Sequence, residues 1–183
     1  IFYAIVLGFT LAMFMPGIQG PFLIAARGTA SATASGLMVA LCPLSAVLSS
    51  ASYAWLRRRL GAGAVLGVSA LLMGGGCLIA ALAPGAGGLM TGFTVIGLGA
   101  GLVEPNIGSI ILGRVPHALH ARASSLMISA MFLGQFLNPL AADPLRAAYG
   151  PEGAFAGVGG ATLLVGLAIL AVAGRRDFRP AEA

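Results

Sequence analysis

The chain has 183 residues, 58% of them hydrophobic and 8% charged, with a mean hydropathy of +0.99. Ordinary soluble domains carry about 25% charged residues, so a water-soluble fold of this length would lack the polar side chains to cover its surface. The formal net charge is +5, but the arginines stand in gaps between apolar runs with no interleaved aromatics, which excludes a nucleic-acid surface and fits charge flanking a membrane.

The chain begins at Ile1, already inside an apolar run, and is expected to lack an N-terminal part. A helix needs about 20 apolar residues to cross the hydrocarbon core. Six runs qualify: 2–25, 35–55, 62–83, 89–113, 124–142 and 153–173. The first is interrupted by Pro16-Gly-Ile-Gln-Gly-Pro21. The second carries Cys42-Pro43 and Ser45, Ser49 and Ser52, a small-residue face suited to close helix packing. The third and sixth lack strongly polar side chains. The fourth is interrupted by Glu104-Pro-Asn106, and the fifth carries Gln135 and Asn138-Pro139. Broken, polar, plain therefore occurs twice. Three spans per unit send the second unit through from the opposite face, the inverted repeat of secondary transporters.

All ten basic residues are Arg. Arg57, Arg58, Arg59, Arg114, Arg122, Arg175, Arg176 and Arg179 fall on one side of the six runs. Arg27 and Arg146 fall on the other, with Asp143 and Glu152. Basic loops stay cytoplasmic, so the first span starts inside and residues 175–183 form a cytoplasmic tail. Residues 1–174 are expected to be the bundle.

Glu104 is the one charged residue within the six runs and lies near the middle of its span. A charge there costs roughly 2.5–3.5 kcal/mol on insertion scales. Helical spacing puts Gly97, Gly101, Glu104 and Gly108 on one stripe, and Pro105 frees the carbonyl of Gly101. The stripe reads as a proton or substrate-cation site, or as a neutral acid bonded to a neighbouring helix. Asn106 lies about 180° away and suits helix packing.

In the fifth span Ser124, Ile128, Met131, Gln135, Asn138 and Ala142 share a face. Two amides and a methionine there suit a cavity wall or interhelical hydrogen bonds. Gln19, flanked by Met15 and Phe22, has the same two readings. His117 and His120 lack further metal ligands nearby. Cys42 and Cys77 read as buried thiols. The cluster Gly97-Leu-Gly-Ala-Gly101 lacks the strand and third glycine of a nucleotide fingerprint. No nucleophile–base pair, cofactor motif or metal set is visible, so an enzyme is not expected.

"GPFLIAARGTASATASGLMVAL", "YAWLRRRLG" and "GLGAGLVEPNIGSIILGRVPHALHARASSLMISAMFLGQFLNPL" resemble, in order, stretches of the C-terminal half of a major facilitator superfamily transporter. The last is similar to helices ten and eleven of its bacterial drug- and sugar-efflux branches, with Gly97, Gly99, Gly101, Pro105, Asn106, Arg122, Gly134, Gln135 and Pro139 matching. The resemblance implies alternating access between two six-helix bundles, with the first, second, fourth and fifth spans of this half lining the cavity. Two departures stand out: no Asp precedes Arg57–Arg59, and Glu104 occupies a position where relatives usually carry an apolar residue.

The expected fold is an all-α membrane protein, a six-transmembrane-helix bundle of two inverted three-helix repeats, half of a twelve-helix transporter. The expected function is proton-coupled efflux of a small organic solute across a bacterial cytoplasmic membrane. Gln19, Phe22, Glu104, Met131, Gln135 and Asn138 are expected to line the path, Glu104 to titrate, and Arg57, Arg58 and Arg59 to form the cytoplasmic basic loop. The expected partners are the solute, the lipid bilayer and a missing N-terminal six-helix half. The alternative is a non-transporting six-span scaffold, with Gly97 and Gly101 marking a partner interface.

Overall fold

The structure is a computed structural model and describes residues 2–28 and 31–173. The expected tail, with Arg175, Arg176 and Arg179, lies outside the described residues. The elements in order are α1 (Phe2–Met13), α2 (Met15–Ile18), α3 (Gly20–Ala26), α4 (Ala32–Leu82), α5 (Gly85–Leu112), a 310 turn (His117–Leu119) and α6 (His120–Ala173). Among the described residues three stretches are long and apolar enough to cross a membrane: Ala32–Leu82, Gly85–Leu112 and His117–Ala173.

The 51 residues of α4 would span about 76 Å if straight, more than twice the hydrocarbon thickness. The helix folds back instead at Gly61, whose φ of 78° and ψ of 167° lie in a region open essentially only to glycine. The first arm, 32–60, runs parallel to α5: Cys42 and Ser45 lie against Gly97, Ala46 and Ser49 against Gly101. The second arm, 62–82, runs antiparallel to it: Ala80 lies against Gly92, Gly76 against Ile96, and Ser69 and Met73 against Gly99. The 54-residue α6 folds back the same way at Gly150, with φ 75° and ψ 178°. Its first arm follows α1 to α3 in parallel, and its second, 151–173, runs antiparallel to the second arm of α4 through Gly74–Gly159 and Ala70–Gly166.

The expected boundaries at 55 and 142 are therefore short of the helix ends. Arginine and leucine are strong helix formers, so the helix continues through Arg57–Leu60 after its apolar stretch is finished. The expected interruption of the first run is present. Phe14 and Gln19 separate α1, α2 and α3, each break just ahead of a proline that cannot donate to the preceding turn.

Close approach of backbones closes the core. A Cβ on Gly76 would come 2.6 Å from the Ile96 nitrogen, and one on Gly74 2.7 Å from the Gly159 carbonyl oxygen. Helices in lipid gain little from burying apolar surface against one another, so small residues that admit dense van der Waals contact hold them. Phe93 and Phe155, both fully buried, stack at 6.0 Å between ring centroids.

Candidate functional site

Two polar clusters stand at opposite ends of the bundle, and a seam of amides runs between α1–α3 and α6. At the first end, Arg57 Nη1 donates to Asn106 Oδ1 at 2.7 Å, to Ser109 Oγ at 2.8 Å and to the Tyr53 hydroxyl at 3.1 Å. Asn106 is fully buried, and its Nδ2 donates to the carbonyl of Ala62 at 2.9 Å. One amide thus joins α5 to both sides of the Gly61 reversal. Arg58 and Arg59 are exposed, Arg59 over the Trp55 ring at 4.7 Å. Arg114 and Arg122 share this end, and Arg114 donates to the Ile110 carbonyl at 2.9 Å.

At the second end, Arg27 donates to the carbonyls of Ala80, Ala81 and Ala83 at 2.7–2.8 Å. These carbonyls close the C-terminus of α4, where a cation also suits the helix dipole. Glu152 lies 3.7 Å from the same guanidinium. The two sides assigned from arginine placement are thus the two ends of the bundle, for every arginine described.

The seam begins where Tyr3 donates to the carbonyl of Ala123 at 3.4 Å. Thr10 packs on Gly134, whose lack of a side chain admits it. Asn138, 1% exposed, donates through Nδ2 to the carbonyl of Leu11 at 2.8 Å and contacts the Met15 sulfur at 3.6 Å. Gln19, also 1% exposed, donates through Nε2 to Asp143 Oδ1 at 3.1 Å. Among the described residues, Gln19 Oε1 and Asn138 Oδ1 are the two buried side-chain polar atoms left without a partner. Such an oxygen costs about 1–3 kcal/mol unless something else meets it.

Arg146 completes this corner. Its Nε and Nη2 donate to Asp143 Oδ1 at 3.3 and 3.1 Å, and its guanidinium lies 4.1 Å from the centroid of the half-exposed Phe22 ring. Asp143 follows the expected span 124–142. The Gln19 amide first, and Arg146 second, hold its carboxyl below the usual carboxylate range.

Of the expected path residues, the structure places Gln19 and Asn138 on one seam with Phe22 at its mouth. Met131 is half-buried against the core, and Gln135 is half-buried on the same arm of α6. Glu104 lies apart, exposed on α5 and without a hydrogen bond or ion pair among the described residues. Gly97 and Gly101 are occupied by the first arm of α4, so they are not a free interface for a partner. Ser45 and Ser49 sit buried in that contact, donating to carbonyls of their own helix. The His117 and His120 rings lie 4.7 Å apart between centroids, tilted by 42°, and among the described residues no three His, Cys, Asp or Glu side chains gather to hold a metal. Cys42 and Cys77 are free and buried. Asp143 was missed as a site residue, although its i, i+3 spacing to Arg146 was visible in the sequence.

An apolar cleft of about 600 Å³ lies beside the seam, bordered by Phe9 and Leu11 of α1 and by Leu145, Val158 and Thr162 of α6.

Residues 2–183 match the Major Facilitator Superfamily. No curated protein matches the chain. Among solved structures, a mutant of a peptide transporter, POT, in complex with sulfate has the same fold, with a TM-score of 0.73 at 20% identity. The match covers 95% of this chain and 37% of that one, so the chain spans little more than a third of the transporter's length. With apolar helices of membrane-crossing length and a family match over nearly every residue, the chain is an integral membrane protein and belongs to the Major Facilitator Superfamily.

Proposed function

We propose that this chain is the C-terminal half of a secondary active transporter that moves a small organic solute by alternating access, outward and in exchange for protons. The observation that carries the proposal is the pair of buried amides, Gln19 and Asn138, each with an unpartnered oxygen beside a broken helix. Interrupted helices at membrane depth are where transporters of this architecture hold solute and coupling ion.

Six crossings follow if Gly61 and Gly150 are taken as turns within α4 and α6. Both elbows then fall between the second and third crossing of a triplet, with nearly equal dihedrals. That correspondence supports two inverted triplets. Gln19, Phe22, Met131, Gln135 and Asn138 would line the path on one side. Glu104, exposed and without a partner among the described residues, would face an N-terminal six-helix half and titrate there. Arg57, Arg58 and Arg59 mark the cytoplasmic end by the positive-inside rule. The tail 175–183 would share that side, and the membrane would be a bacterial cytoplasmic membrane. The scaffold alternative loses its main support, because Gly97 and Gly101 are used within the chain.

The test is a panel of solutes offered to the full-length protein in proteoliposomes, with dissipation of a pH gradient as readout. Solute-dependent proton movement is expected, and its loss in Glu104→Gln with solute exchange preserved. Proton coupling that persists unchanged in Glu104→Gln removes Glu104 from the proposal. A protein that moves no solute removes transport.

A further inference from the structure

We propose that the corner formed by Gln19, Asp143 and Asn138 binds the ammonium group of an amine-bearing solute, with Arg146 as the resident cation that the solute displaces. The inference rests on the transporter reading and names the class of solute.

The donors and acceptors at the corner do not balance. Every hydrogen bond that Asp143 receives from described residues falls on Oδ1: one from Gln19 and two from Arg146. Its Oδ2 receives none from them. Gln19 Oε1 and Asn138 Oδ1 are buried and also lack donors. Met15 and Gln19 are one helical turn apart, about 6 Å, and Asn138 touches Met15 while Gln19 touches Asp143. Both amides thus belong to one stretch of the seam, Asn138 about one helical turn below Gln19, with the Asp143 carboxylate bonded to Gln19 at its end. A primary ammonium carries one positive charge and three N–H donors, which suits one carboxylate oxygen and two amide oxygens.

Access and charge agree. The Asp143 side chain is 46% exposed and Gln19 is 1% exposed, so the carboxylate stands at the mouth and the amide inside. Arg146 is held sideways on the Phe22 ring, and only its Nε and Nη2 engage the carboxylate. A resident cation clipped on an aromatic face can swing off without leaving Asp143 unpaired, provided a second cation arrives. The apolar cleft beside the seam would receive the solute's hydrocarbon portion.

The test measures binding to the purified full-length protein by isothermal titration calorimetry. The probes are propylammonium, its neutral isostere propanol, and tetramethylammonium, which has the charge and no N–H. Propylammonium is expected to bind most tightly. Asp143→Asn is expected to weaken it by about tenfold or more, the scale of a charge-assisted hydrogen bond. Arg146→Gln keeps the carboxylate, removes its competitor and is expected to tighten binding severalfold. That second variant decides the matter if Asp143→Asn fails to fold. Failure of propylammonium to bind overturns the proposal, as does equal binding of propanol or tetramethylammonium, or unchanged or weaker binding in Arg146→Gln. Solute transport indifferent to Asp143→Asn sinks the ammonium site and leaves the transporter. Ammonium binding without transport of any solute sinks the transporter reading and leaves the site.

Discussion

The seam between α4 and α5 and the seam between α1–α3 and α6 join helices in opposite ways. Between α4 and α5 the backbones meet through Gly76, Gly92, Gly97, Gly99 and Gly101, and each position would clash with a neighbour if it carried a Cβ. Asn106, the amide in that contact, has both ends bonded. Between α1–α3 and α6 the contact rests on side-chain amides, two oxygens are left over, and a cleft opens alongside. Among the described residues, the first seam leaves no buried side-chain polar atom without a partner, whereas the second leaves two and borders a cleft. Glycine closes one seam against backbone, and amides with unpartnered oxygens join the other.

The comparison breaks most directly at Gly76. Gly76→Ala drives a methyl against the Ile96 nitrogen and the Gly92 carbonyl. It is expected to cost about 3 kcal/mol as overpacking against backbone, read as a fall in the midpoint of unfolding in detergent. Gly75, one residue away, has open space around its missing Cβ. Gly75→Ala is expected to stabilise by about 0.5–1 kcal/mol, the helix preference of alanine over glycine. If both variants behave alike, close approach is not what holds this seam.

The next effect is at the elbow. Gly61→Ala puts a Cβ on a residue with φ of 78° and ψ of 167° and is expected to cost about 1–3 kcal/mol. Its neighbour in space, Asn106, gives a comparable figure: Asn106→Leu removes the bonds that tie α5 to Arg57 and to the Ala62 carbonyl and is expected to cost about 1–3 kcal/mol. Equal stability of Asn106→Leu and the wild type would show that the seam does not depend on satisfied polar groups.

The amide seam has the mildest signature. Asp143 is held below its usual range by Gln19 and Arg146. A depressed folded pKa contributes stability that is complete above the ordinary carboxylate pKa of about 3.9 and is lost as the pH falls through the folded value. The wild type is expected to lose stability on acidification below about pH 4, and Asp143→Asn to lack that component. Identical acid profiles would mean that the corner makes no net contribution to the fold.

Much of this division was legible in the sequence, for reasons that differ by residue. The breaks at Phe14 and Gln19 follow from Pro16 and Pro21, because a missing N–H is a local property. The packing of Ser45 and Ser49 follows from their small size and helical spacing. The sorting of arginines to two ends follows from the cost of burying charge. Gly61 was not legible as an elbow: hydropathy marks where apolar residues stop, whereas the helix stops only where the backbone can turn. Asp143 was hidden by the same habit, since a charged residue past an apolar run looks like loop. Its role comes from Gln19, 124 positions earlier, and no local pattern encodes that pairing. Glu104 was the most conspicuous residue in the sequence, and among the described residues it has no hydrogen-bond or ion-pair partner, so its use depends on what faces α5 from elsewhere.

The elbow at Gly61 has a mechanical corollary. A single residue bridges at most about 3.8 Å between successive Cα atoms, less than the 5.4 Å pitch of a helix. The arms on either side have no slack with which to slip past each other by a turn, and the same is true at Gly150. Each pair can only rock as a unit. Among the described residues, the broken stretch from Phe14 to Gln19 and the strap of residues 113–119 are places where relative sliding can be taken up.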